Sequence, residues 1–220
     1  MRRLVVVGRN AKVWRALRAH PALRTLPLRE LGHAELAGQR FDADEEVWVF
    51  AYSREPAQNE ALLAQLQAQG ARQLVYLSSS SVAVAERTGC YEYPRVKRLA
   101  EAAALALPGT RVLTLGLVYG NESELPGGRN AATSHDELAR FMAAPAWPAG
   151  QRRHALLRTV ERPLSRPAEG LLHRAYGALI HAAGPWPCLL RPLDLVLRAL
   201  GLRWYGYTYL ANERWTTTTS

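Results

Sequence analysis

Apolar and polar positions along the first 120 residues switch repeatedly between two periods. Leu4-Val5-Val6-Val7 is an unbroken apolar run of the kind buried on both faces, and a glycine and a polar turn, Gly8-Arg9-Asn10, follow it. Asn10 can cap a helix in which Val13 and Leu17 share a face, with an end near His20-Pro21. A weakly marked second strand is expected around Leu23 to Leu28 and a third from Glu46 to Ala51. A helix should start at Pro56, carry Ala61, Leu62 and Leu66, and stop at Gly70. A strand from Gln73 to Leu77, a helix from Pro94 to about Leu107, the Pro108-Gly109 break and a strand from Arg111 to Val118 complete the series. This alternation predicts an α/β fold on a doubly wound parallel sheet. Only 70 positions separate Gly8 from Ser78, and a strand-helix-strand unit takes about 30. That leaves room for three steps where the full order 3-2-1-4-5-6 needs four, so one peripheral strand should be missing.

After Gly120 the pattern changes. Residues 121–130 are rich in Gly, Pro and polar side chains and read as a loop; His135 to Ala144 reads as a short helix and His154 to Val160 as a strand. Gly170 to Ala183 and Pro192 to Leu202 look helical, and the end, with Trp204, Tyr205, Tyr207 and Tyr209, is aromatic. A small, largely helical lobe over 121–220 is expected to close a cleft at the sheet edge, its aromatics serving that packing or a homodimer contact. Leu193, Val196, Leu197 and Leu200 with nearby arginines also suit an interfacial helix, although packing on the chain's own core is the preferred reading. No apolar stretch is long enough to span a bilayer.

Composition fits a globular chain with 48% hydrophobic residues. Cys90 and Cys188 are too few for a disulfide framework, and the six scattered histidines make no metal-ligand spacing. The short apolar stretch after Met1-Arg2-Arg3 reads as a first strand rather than a secretory leader, so a cytoplasmic protein is expected. A net charge of +9 favours an acidic partner. The arginines are dispersed, however, so a solvated basic surface is preferred to specific nucleic-acid binding.

Lysine is rare. Lys97 and Lys12 are the only two, and Lys97 lies four residues after Tyr93, downstream of a strand ending in Ser78-Ser79-Ser80-Ser81. A tyrosine with its ordinary pKa near 10 is a poor base, and an ammonium one helical turn away favours its phenolate. Arginine does not readily replace that lysine, having a planar fork and a higher pKa. Such a pair also arises by chance in helices, with the amine reaching past the core to water. Pro94 pushes the residue before it out of the helical region, so Tyr93 should stand at the N-cap with Pro94 as first helical residue.

These elements, in this order, resemble the short-chain dehydrogenase/reductase superfamily, and in particular its extended branch of epimerases, dehydratases and reductases. The resemblance covers roughly residues 1 to 121. It includes Leu4 to Gly8, the Val47-Trp48-Val49-Phe50-Ala51 strand, Asn59, the serines, the Tyr93/Lys97 pair, Glu101 and the strand ending in Tyr119-Gly120. It implies a Rossmann-like core over 1–120, a substrate lobe over 121–220, and NAD or NADP as cofactor. Tyr93 would exchange a proton with the substrate, Ser80 would bond the same oxygen, Lys97 would hold the nicotinamide ribose, and Asn59 would complete the set. Cofactor contacts are implied for Gly8, Arg9, Asn10, Ala11, Val13, Phe50, Ala51, Ser78, Lys97 and Val118. The branch's GxxGxxG loop appears here as Gly8-Arg9-Asn10-Ala11-Lys12-Val13-Trp14, and the bulk of Trp14 should move or pivot the following helix. No acidic residue ends the expected second strand, and Arg9 and Arg29 could meet a 2′-phosphate, which leans the cofactor toward NADP. A small-molecule substrate, in particular a nucleotide-linked sugar, follows by analogy with the branch. The alternatives are a non-catalytic Rossmann-type nucleotide-binding or regulatory protein, and a peripheral membrane or assembly protein.

Overall fold

The computed structural model describes residues 2–88, 91–164, 167–183 and 206–218, and between 184 and 205 only residues 186, 189, 192, 195, 196 and 199. Cys90, Cys188, Trp204, Tyr205 and most of the proposed 192–202 helix lie outside the described residues.

Six strands form one fully parallel sheet: β1 (Arg3–Val7), β2 (Leu28–Leu31), β3 (Glu45–Val49), β4 (Gln73–Ser79), β5 (Thr110–Leu115) and, from beyond Gly120, a strand at Arg153–Leu156. With β6 (Leu117–Tyr119), β7 (Gly128–Ser134), that Arg153–Leu156 strand as β8 and β9 (Arg158–Arg162) numbered along the chain, the order is β2-β1-β3-β4-β5-β8. The architecture is Rossmann-like. β2 stands at the outer edge where the full order has one more strand, so the expected peripheral loss is present.

The period-2 rule sorts the strand side chains onto two cores. Val5, Val7, Val47, Val49 and Tyr76 face α2 (Pro56–Ala68) and α3 (Glu92–Ala106), meeting Leu62, Leu66, Ala100 and Ala104. Leu4, Val6, Trp48, Val75 and Leu77 face α1 (Lys12–Leu17) and α4 (His135–Ala143), meeting Trp14, Leu17, Leu138 and Met142. Each large side chain so buried contributes about 1.5–3 kcal/mol before entropy is counted.

Several boundaries differ from expectation. Leu23 closes a short 3-10 turn, Pro21–Leu23, and the second strand begins at Leu28, at the far end of the stretch assigned to it. The strand expected over 111–118 breaks at Gly116, where a Cβ would fall 2.3 Å from the Ala131 carbonyl oxygen. β6 then joins β7 in parallel and β7 pairs antiparallel with β9, forming a small second sheet. The region after Gly120 therefore supplies strands as well as helices, and the main sheet draws its sixth strand from it.

Two more helices, α5 (Pro167–Ala183) and α6 (Gly206–Thr218), complete the described chain. α6 lies against β7 and the serine turn: Asn212 Oδ1 accepts from Ala131 N at 3.2 Å, and Trp215 Nε1 donates to the Ser80 carbonyl at 3.1 Å. Among the described residues, no helix is long and apolar enough to cross a membrane, and no cluster of three or more His, Cys, Asp or Glu could hold a metal ion.

Candidate active site

The chain turns out of β1 at Gly8, whose φ is +102° and whose added Cβ would sit 2.6 Å from Ala51 N. Only glycine meets both demands, the left-handed backbone and the close approach of the segment leaving β3. The helix after the turn is short, and its N-cap is Ala11 rather than Asn10, with no side-chain cap bond. Trp14 points away from the turn into the core, 5.4 Å from Phe50 ring to ring, and so fills the helix-to-sheet gap that a third glycine would close.

At the C-terminal ends of β1, β3, β4 and β5 a cleft of about 450 Å³ opens. Gly8, Arg9, Asn10, Ala11, Val13, Phe50, Ala51, Ser78, Lys97 and Val118 all line it, together with Tyr93. Such a crevice at the carboxyl edge is where open α/β sheets bind ligands. Lys12, expected to offer charge to a phosphate, lines it too, and so do Gly32, His33, Tyr52 and Ser79, which were not foreseen. Gly32 and His33 were hidden by the misplaced second strand, because they immediately follow its true end at Leu31. Tyr52 follows β3 directly and carried no signal of its own.

α3 begins at Glu92 with Tyr91 as N-cap, so Tyr93 is inside the helix and not at its cap. Pro94 still falls in the first turn, where a missing N–H breaks no intrahelical bond. Tyr93 is 36% exposed at the cleft mouth, its ring 5.4 Å from that of Tyr52 and 6.0 Å from that of Tyr207 in α6. Burial of the phenol end raises its pKa, opposed by a hydrogen bond with Ser79. The expected depression by Lys97 is therefore reversed: in this geometry desolvation outweighs every favourable contact of the phenolate.

Lys97 is 8% exposed. Its Nζ donates to the Leu77 carbonyl at 2.9 Å and lies 4.9 Å from the Tyr52 ring centre and 5.0 Å from that of Tyr76. Burial pushes its pKa down to about 8, against the opposing pull of Glu101. Glu101, one turn further along α3, accepts from the Ser78 hydroxyl and pairs with Arg153 at 3.2 Å.

Two residues expected to be catalytic do not line the cleft. Ser80 is buried in the 3-10 turn Ser80–Val84, and its neighbour Ser79, the last residue of β4, lines the cleft instead. Asn59 is buried in α2, where its Oδ1 accepts from Ser53 N at 2.9 Å and its Nδ2 donates to the carbonyls of Ser53 and Glu55 at 2.8 and 3.1 Å. It ties down the loop entering its own helix. The charges expected to meet a 2′-phosphate are engaged as well. Arg9 pairs with Glu35 at 2.6 Å, while Arg29 bonds Glu45 and Gln39 and does not line the cleft. These contacts do not decide between NAD and NADP.

No family model matches the chain, and no curated protein matches it in sequence. Solved structures do match in fold. UDP-N-acetylglucosamine 4-epimerase from Bacillus cereus aligns with a TM-score of 0.54 at 13% identity, over 80% of this chain and 86% of that one. The dTDP-4-dehydrorhamnose reductase of Yersinia enterocolitica gives 0.51 at 15% identity, over 74% and 77%. That of Bacillus anthracis, solved in complex with NADP, gives 0.50 at 12% identity, over 73% and 76%. The chain shares the Rossmann-like fold of these enzymes. At these identities the likeness concerns the fold, and chemistry must be argued from the cleft.

Proposed function

We propose that this protein is an NAD(P)-dependent oxidoreductase or epimerase/dehydratase-like enzyme acting on a small molecule, with a nucleotide-linked sugar as the substrate class. One observation carries the reading: the Gly8 turn, the serine end of β4, Tyr93 and Lys97 share a single cleft at the carboxyl edge of a parallel sheet. The fit to a dinucleotide is supported by the cleft's run from Gly32 and His33 past the Gly8–Val13 turn to Tyr93, and by Trp14 being packed away from it. The substrate class rests on the activities named for the epimerase and reductases of like fold.

Gly8 to Val13 would lie along the pyrophosphate, and Phe50, Ala51 and Val118 would wall the rings. Bound there, the nicotinamide would give or take the hydride. Tyr93 would hold the proton at the substrate oxygen. A phenol with a raised pKa is protonated at neutral pH, so it suits the donor's role better than the base's. Ser79 would steady the same oxygen in place of Ser80. Lys97 uses one of its ammonium donors on Leu77 and keeps two for a ribose hydroxyl. The region 121–220 would act as the substrate lobe, with α6 bringing Tyr207 against Tyr93.

A second reading, a nucleotide-binding domain without turnover, is favoured by the raised Tyr93 pKa and by the ammonium being anchored to a carbonyl. Calorimetry with oxidised and reduced NAD and NADP tests binding, which both readings require. Hydride transfer to or from nucleotide-linked sugars, measured as nicotinamide absorbance, then separates them.

A further inference from the structure

We propose that the opposite, N-terminal edge of the six-stranded sheet carries a second ligand site, for the phosphate group of a small molecule. A cavity of about 250 Å³ opens where β4 and β5 begin, lined by Arg72, Arg111, Arg152, Thr110 and Glu46 among others. The cavity takes Gln73 to Val75 of β4 and the cleft takes Leu77 to Ser79, so at the usual strand rise their midpoints along this strand lie about 13 Å apart. The two sites share no lining residue.

The charge balance of the cavity is what calls for a ligand. Arg152 has a structural task, since its Nε donates to the Thr110 carbonyl at 2.9 Å and its guanidinium also caps the Leu107 carbonyl at the end of α3. Arg111 and Arg72 have no such task. The Arg111 guanidinium lies 5.2 Å from the Trp147 ring centre, and among the described residues it has no hydrogen-bond acceptor or carboxylate partner. Among the described residues, the Arg72 side chain makes no hydrogen bond or ion pair.

The cavity's one carboxylate does not neutralise them. Glu46 is held by the Arg2 guanidinium and by Trp48 Nε1 at 3.0 Å. Thr110, also at the start of β5, is fully buried, and its hydroxyl, which has no hydrogen-bond partner, adds no acceptor for the guanidinium groups. Like charges gathered around a concave surface repel one another, and an anion relieves the repulsion. Arginine's planar fork matches phosphate in particular, and the volume admits one phosphate with a small organic group.

The test is a titration of the whole chain by calorimetry with inorganic phosphate, with glycerol 3-phosphate and with glycerol, on the native protein and on Arg72→Gln, Arg111→Gln and Arg9→Gln. Both phosphates should bind and glycerol should not. Loss of one charge-assisted contact should weaken binding about tenfold in Arg72→Gln and in Arg111→Gln. Arg9→Gln, in the distant cleft, should leave it unchanged. Tighter binding of the ester identifies an organic phosphate as the ligand, and equal binding identifies the inorganic ion. Absence of binding at millimolar phosphate overturns the proposal, as does weakening by Arg9→Gln with the other two variants unaffected.

Discussion

Lys97 and Arg111 stand near opposite edges of one sheet and meet opposite environments. At the carboxyl edge Lys97 is buried, hydrogen-bonded to Leu77 and flanked by two tyrosine rings, and Arg9 is paired with Glu35. At the amino edge Arg111 and Arg72 line a cavity whose one carboxylate is already engaged. The carboxyl edge has fixed geometry and desolvated titratable groups, which suit the proton transfer proposed for it. The amino edge has charge without geometry, which suits holding an anion and nothing more. Net charge alone cannot tell these apart, because +9 over the whole chain is silent about which cations are matched.

The sharpest way to break this contrast is at Tyr93. Tyr93→Phe should lower turnover at least a hundredfold and leave dinucleotide affinity nearly unchanged, the magnitude typical of losing a positioned proton donor. Lys97→Ala should damage both, because in the proposed complex the ammonium would hold the ribose as well as set the surroundings of the phenol. Parallel kinetics and calorimetry on an identified substrate measure the separation. Full activity in Tyr93→Phe would remove the carboxyl edge's claim to proton chemistry.

Next comes the cost of burying Lys97. Its pKa is lowered from 10.5 to about 8 on folding. Between those values the unfolded chain holds a proton that the folded chain has released, so stability rises with pH across this window. Below about pH 8 both states are protonated and the full penalty of the buried charge remains. The total amounts to about 3 kcal/mol. Denaturant unfolding from pH 7 to 10 should show this rise in the native protein but not in Lys97→Met, which makes the difference between the two curves the informative quantity. Identical slopes would show that the ammonium is solvated after all.

Asn59 sharpens the contrast differently, by asking whether every polar group near the carboxyl edge serves chemistry. Asn59→Ala leaves the Ser53 amide and two carbonyls without their partner and should cost about 1–3 kcal/mol of stability. The Michaelis constants of the surviving folded protein should be unchanged. A stable variant with impaired turnover would return Asn59 to the catalytic set.

How much of this was readable in the sequence follows from how local each determinant is. The strand-helix alternation through residue 115 depends on side-chain period and neighbouring turns, so β1, β3, β4, α2, α3 and β5 appear close to their expected places, and the missing peripheral strand follows from counting residues. β2 was misplaced because Leu28-Arg29-Glu30-Leu31 carries charges in mid-strand, an edge position that leaves little apolar signal. The cleft residues adjoining strand ends, such as Gly8 and Ser78, were legible for the same local reason. The choice between Ser79 and Ser80 was not, since it turns on where β4 hands over to the 3-10 turn. The Arg9–Glu35 and Arg153–Glu101 pairs were also illegible, being contacts between residues 26 and 52 positions apart that no periodicity encodes.

The smallest expected effect tests how the end of the chain supports the carboxyl edge. Trp215 of α6 donates its indole N–H to the Ser80 carbonyl, and Ser80 directly follows the cleft-lining Ser79. Trp215→Phe keeps an aromatic ring in the packing and removes the donor, so it should cost about 1 kcal/mol of stability, the usual net value of one hydrogen bond. The consequence for function should be selective. A loosened serine turn lets Ser79 drift from Tyr93, which lowers kcat a few-fold, while the Gly8 turn on the other side of the cleft keeps its grip and dinucleotide affinity is retained. Trp215→Ala should add the loss of the ring and lower stability further. If Trp215→Phe and Trp215→Ala reduce stability equally and neither changes kcat, then α6 packs against the serine turn without positioning it, and the carboxyl edge is organised by the sheet alone.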